Sequence, residues 1–154
     1  MDYEINSDTL VVMPINKNST KVIEQEDEYY IKNNTLSILE HSCEYFGSSY
    51  EGRKEGTRKL LGISHKSPII VEESRQIIFF PTESPDNVNC SWINLGLIDR
   101  YYKSGNKKSS IQFKNGEIID LDISIGSLTN QIMRATRLKY LLEDRIDIKK
   151  DNYY

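Results

Sequence analysis

Apolar and polar positions change period several times along the chain, and each change marks a predicted element. Residues 9–15 (Thr-Leu-Val-Val-Met-Pro-Ile), 20–24 and 28–32 are short β-branched or aromatic runs separated by Asn, Ser, Lys and acidic turns, which predicts a three-stranded meander. Between 35 and 46, Leu36, Ile38, Leu39, Cys43, Tyr45 and Phe46 follow a mixed period that fits a short amphipathic helix as well as a strand. Ser48 and Glu51 have the Ser-x-x-Glu spacing of a capping box and open a helix from Tyr50 to Leu61 that stops before Gly62. Gly52 and Gly56 each weaken that helix by about 1 kcal/mol relative to Ala, so a loop competes, and close backbone approach is a reason for glycine there. Residues 69–72, 76–80 and 91–98 read as strands of a central sheet, with a turn at Glu73-Ser74 and a polar loop from Pro81 to Asn89. Residues 110–114 and 117–123 alternate around Asn115-Gly116, the strongest short-range hairpin signal.

From Ser127 onward, Leu128, Ile132, Ala135, Leu138, Leu142 and Ile146 recur every three or four positions, one apolar stripe on a helix of about twenty residues that packs on the sheet. Arg134 and Arg137 fall on its other face, solvated or aimed at a partner. Residues 149–154 show no periodicity and are expected to fray. The fold class predicted is α+β, a mostly antiparallel β-sheet with a short central helix and a longer C-terminal helix packed on it, in a single domain over residues 1–148.

Composition narrows the class. With 154 residues and 38% hydrophobic content the chain builds one core, and no run approaches the roughly 20 apolar residues of a membrane span. The start Met-Asp-Tyr-Glu-Ile lacks the basic and apolar regions of a secretory signal, so a cytoplasmic location is expected. Two cysteines, Cys43 and Cys90, are then expected to be reduced, buried and inert. A net charge of −3 argues against nucleic-acid binding until it is resolved by position. Residues 1–52 carry −7, residues 53–114 carry +5 and residues 115–154 carry −1. A local field of one sign attracts a polyanion even on a mildly acidic molecule, although a solvated basic face explains the lysines equally well.

The densest basic stretch runs from Phe46 to Lys59. Gly47, Ser48, Ser49, Tyr50 and Gly52 offer small side chains and backbone N–H groups, a helix N-terminus adds its dipole, and Arg53, Lys54, Arg58 and Lys59 follow. At helical spacing Lys54 and Arg58 share one side and Arg53 lies beside Thr57, while His65 and Lys66 extend the set after a turn. The alternative is a glycine-containing basic loop with no ligand. Tyr45 and Tyr50 flank the block and are the aromatics to suspect of contact, whereas Tyr29, Tyr30, Phe79, Phe80 and Trp92 belong to strands and to the core. A second basic loop is expected from Tyr101 through Lys103 to Lys107 and Lys108.

Other chemistry finds little support. Gly47 is followed by Gly52 and then Arg53-Lys54, not by the Gly-Lys-Ser/Thr of a phosphate-binding P-loop. His41, Cys43, His65 and Cys90 have no zinc-site spacing, and pairing Cys43 or Ser49 with either histidine is not specific. Asp120 and Asp122 share a strand face, which solvation explains. An enzyme, a metal and a cofactor are therefore not expected.

The run Cys-Glu-Tyr-Phe-Gly-Ser-Ser-Tyr-Glu-Gly-Arg-Lys-Glu-Gly-Thr from Cys43, then Ile-Ser-His-Lys-Ser-Pro-Ile-Ile-Val, Phe-Phe-Pro-Thr and Cys-Ser-Trp-Ile, resembles the competence transcription factor family known as ComK. The similarity continues through Asn115-Gly116 and Asn130-Gln131 to Asp144-Arg145-Ile146-Asp147. The resemblance implies a cytoplasmic bacterial activator that binds paired A/T-rich boxes, mainly in the minor groove, as a self-associated multimer, and switches on DNA-uptake genes. Longer members carry a C-terminal extension through which an adaptor and protease system recognises them. This sequence runs only to Tyr154, so the expectation is a short form with altered control.

Minor-groove recognition suits the residues, because narrow A/T grooves concentrate negative potential that draws Arg and Lys. Arg53, Lys54, Arg58, Lys59 and Lys66 are expected to supply contacts, with Arg134 and Arg137 second in rank. About six neutralised phosphates per subunit predict a slope of log affinity on log salt near −5. The rival is an interaction module without DNA activity, which docks an acidic partner or associates with a longer relative as its antagonist.

Overall fold

The computed structural model describes residues 2–151, with side chains described as far as residue 146. Six strands, β1 (Thr9–Asn16), β2 (Ser19–Glu24), β3 (Glu28–Ile31), β4 (Ile69–Glu72), β5 (Ile77–Pro81) and β6 (Trp92–Asn94), form one sheet in the order β3-β2-β1-β6-β5-β4. Every pairing in it is antiparallel. Two helices, α1 (Thr35–Tyr45) and α2 (Tyr50–Leu61), connect its halves. A second sheet, β7 (Ile98–Gly105), β8 (Lys108–Phe113) and β9 (Ile118–Leu121), precedes the long helix α3 (Ile125–Asp151). The class is α+β, as the periodicity predicts.

The apolar runs of the large sheet are continuous because both of its faces are covered. Along β4, β5 and β6 successive residues alternate between two cores: Ile69, Val71, Ile77, Phe79 and Trp92 point to the α1 side, and Ile70, Ile78, Phe80 and Ile93 to the side of α3 and the second sheet. Such two-sided burial removes the polar member of the alternation. In β1 a register shift between Thr9 and Val11 lets Leu10 and Val11 both enter the second core while Val12 faces the first.

One open alternative is resolved and two local expectations are corrected. Of helix and strand, the segment Thr35–Tyr45 is the helix; Asn34 caps it, its side chain accepting from the Ser37 N–H at 2.8 Å, and Ile38, Leu39, Ser42 and Cys43 form the buried face. The strand expected over 91–98 is broken. Asn94, 4% exposed, donates its side-chain amide to the Thr9 carbonyl (2.9 Å) and accepts from the Gly96 N–H (3.1 Å), so the chain makes one 3-10 turn at Leu95–Leu97 and leaves the first sheet for the second. The segment expected as a second basic loop is instead β7 and the start of β8, joined at Asn106-Lys107 with Lys107 in the left-handed region (φ 53°). The hairpin at Asn115-Gly116 is present, with Gly116 at φ 93°. Helix α3 begins two residues before Ser127; Leu128, Ala135 and Leu138 are buried, whereas Ile146 is exposed, so the packed stripe ends near Leu142. Its backbone helix is described through Asp151, and residues 152–154 of the tail lie outside the described residues.

Candidate functional site

The turn between α1 and α2 is built from Gly47, Ser48 and Ser49. Gly47 takes the left-handed conformation (φ 84°) that a non-glycine residue resists, and donates its N–H to the Glu44 carbonyl at 3.0 Å. The N-cap of α2 is Ser49, not Ser48: its hydroxyl accepts from the Gly52 N–H at 3.0 Å, and Glu51 sits in the first turn, where the helix dipole favours a carboxylate. The capping box expected between Ser48 and Glu51 does not form: the cap is Ser49 alone, and the position three residues on is Gly52, which has no side chain to return a bond. Gly52 has a close-approach role, since a Cβ there would lie 2.9 Å from the Ser49 hydroxyl; around Gly56 nothing lies within 4 Å.

The side chains of α2 divide into packed and presented groups. Tyr50 is 6% exposed and meets Trp92 edge-on at 6.2 Å, so its ring is part of the core and is not offered for stacking. Thr57 is fully buried and donates its hydroxyl to the Pro68 carbonyl at 2.6 Å, which makes it a structural residue. Arg53 lies beside Thr57 as its spacing predicts, but its guanidinium is tied to Glu73 at 2.7 Å and its Nε is buried without a partner. Arg58 makes a two-point contact with Glu55, at 2.9 and 2.6 Å, and that hydrogen bonding holds the Glu55 carboxyl below the ordinary carboxylate range. Among the described residues, Lys54, Lys59 and Lys66 enter no ion pair. Tyr45 is 63% exposed and rests edge-on against Phe46.

Lys54, His65 and Lys66 meet at one cleft of about 300 Å³, whose lining also includes Glu51, Ser67 and Asp86. The 64–67 loop is fixed there by α3. Gln131, 3% exposed, donates its amide to the Lys66 carbonyl at 2.9 Å and to the Pro81 carbonyl at 2.8 Å, and Lys66 itself is left-handed (φ 51°). Arg134 donates to the His65 carbonyl at 3.2 Å and to the Gln131 side chain at 3.3 Å. It is therefore not on a detached outer face but half-buried against the loop, in a positioning role; Arg137 is exposed. Gln131 was not among the candidate site residues, although a polar side chain between Leu128 and Ala135 on the packed stripe is a readable sign of a buried hydrogen-bonding duty. The spacing of Glu55 and Arg58 likewise predicts their pairing, whereas the partnership of Arg53 with Glu73 joins separate elements.

Both cysteines are buried and free, as expected. No group of His, Cys, Asp and Glu among the described residues gathers as a metal site, and no described helix is long and apolar enough to cross a membrane.

The competence transcription factor of Bacillus subtilis (strain 168) is 38% identical to this chain over 148 residues, covering 94% of this chain and 77% of that protein. No solved structure matches. The family model described as ComK protein matches residues 1–147, a span that holds the capped turn, the basic helix, the 64–67 loop and the greater part of α3, and by this measure the chain belongs to the ComK family.

Proposed function

We propose that this protein is a cytoplasmic DNA-binding regulator of competence transcription that reads paired A/T-rich boxes, chiefly through the minor groove, as a multimer. The observation that carries this reading is the ComK match over residues 1–147 together with the name of the Bacillus subtilis relative. The geometry supports a contact surface at α2 and the 64–67 loop, where Lys54, Lys59 and Lys66 enter no ion pair among the described residues. Arg53 and Arg58 are already paired with Glu73 and Glu55, which offset part of their charge, so they contribute less than their number in the sequence implies. Multimer formation places two such surfaces on two boxes, and linked weak sites gain avidity without new contacts.

Fluorescence anisotropy on a duplex with two A/T boxes, against a G/C-substituted duplex at two salt concentrations, tests the reading. A salt-dependent preference for the A/T duplex is expected, and Lys54→Gln should weaken it more than Lys17→Gln in the acidic N-terminal third. Micromolar protein that binds neither duplex would favour the interaction module instead.

A further inference from the structure

The three lysines presented at α2 and its following loop account for about half of the six phosphate contacts that the basic third of the chain leads one to expect, a slope near −3 rather than −5. Charges around the α2 cleft also nearly cancel, because Lys54 and Lys66 share it with Glu51 and Asp86. A less balanced surface lies elsewhere. Between the start of β7 and α3 runs an open groove of about 510 Å³ lined by Arg100, Lys114 and Lys139 with a single carboxylate, Asp99, and by the apolar Leu95 and Ile132 among others.

The construction of this groove keeps its cations apart from the loop already described. Gln131 and Arg134 reach the 64–67 loop from one flank of α3, whereas Ile132, Thr136 and Lys139, roughly 80° to 160° around the helix from them, line the groove on the other flank. The Lys114 N–H donates to the Leu97 carbonyl at 2.9 Å, which anchors the segment that carries it beside the 3-10 turn. Arg100 is oriented by its hydrogen bond to the Gln112 side chain at 2.6 Å and by the Tyr102 ring, 5.7 Å from its guanidinium carbon. Arg100 and Lys114 are exposed, and neither they nor Lys139 enters an ion pair among the described residues.

We infer that the groove between β7 and α3 is a second nucleic-acid contact surface, in which Arg100, Lys114 and Lys139 engage the sugar–phosphate backbone. This rests on the DNA-binding reading above. Three cations against one carboxylate give the charge complementarity a polyanion requires, and the half-buried Leu95 and Ile132 offer apolar surface to the faces of deoxyribose. Backbone contacts then flank α3 on both sides.

The test is a salt titration of duplex binding by the full chain, comparing wild type with Lys114→Gln/Lys139→Gln, a pair that leaves the contacts of Arg100 intact. The wild-type slope is expected near −5, and the double variant should lose about 2 from its magnitude and bind at least tenfold more weakly at low salt to A/T and G/C duplexes alike. Lys32→Gln, on the acidic third, serves as the control for a charge change of no local consequence, and circular dichroism verifies the fold of each variant. Wild-type binding with unchanged slope and affinity in the double variant would overturn the inference and leave the α2 surface standing. A wild type that binds no duplex would overturn both.

Discussion

Ser49 holds the first turn of α2 through one hydrogen bond to the Gly52 N–H, and Gly52 is glycine because a Cβ would press on the same hydroxyl. The two positions are therefore coupled. Ser49→Ala is expected to cost about 1 kcal/mol, read as a fall in Tm of roughly 2–4 °C, while Ser48→Ala should stay within about 0.5 kcal/mol. Gly52→Ala should gain helix propensity only in the Ser49→Ala background; equal effects in both backgrounds would show that the cap does not require the glycine. That a serine caps this helix was legible in the Ser48-Ser49 pair followed by a helical segment. Which serine does so was not, since both have the right chemistry and only the backbone path out of the left-handed Gly47 selects Ser49.

At the scale of elements, Gln131 is the joint between α3, the end of β5 and the 64–67 loop. Replacing it by Leu leaves the Lys66 and Pro81 carbonyls without its donor in a nearly dry site, at an expected cost of about 2–3 kcal/mol. Urea unfolding would show this as a lowered midpoint, and hydrogen exchange should quicken at residues 64–67 before it does in β5 and β6. No change in either would mean that the loop is held by packing alone. The strands, the Asn-Gly hairpin and the stripe of α3 were legible because each repeats a period that burial imposes. The break after Asn94 was not, because Ser-Trp-Ile-Asn-Leu-Gly-Leu-Ile has the composition of one strand, and only the long-range bond from Asn94 to Thr9 makes it two elements.

For the whole molecule, the fully buried Cys43 and Cys90 set an alkaline limit. Burial pushes their thiols up from 9.0 to about 11 and about 12. A group with a raised folded pKa contributes stability that is fully present below its unfolded value, so stability should hold to about pH 9 and decline as the pH rises through 11 and 12. Burial raises the Tyr3 and Tyr50 hydroxyls in the same direction. Urea midpoints should be level from pH 7 to about pH 9 and fall from there to pH 10, and a Cys43→Ala/Cys90→Ala variant, though less stable throughout, should fall less steeply above pH 9; parallel profiles would remove the thiols as the cause. Neither thiol should react with an aromatic disulfide reagent until the protein unfolds.

By itself the sequence determined the class of fold, the position of most elements, the family and the location of the basic third, because period, turn chemistry and motif are local properties. Tertiary structure alone decided which charges are presented. Arg53 and Glu73 lie twenty positions apart and meet only when α2 packs beside the β4–β5 turn. Arg100, Lys114 and Lys139 come from three separate segments and share a groove only because the second sheet packs beside α3. An ion pair or a cationic groove is set by distances in space, and charge counted along a chain cannot supply them.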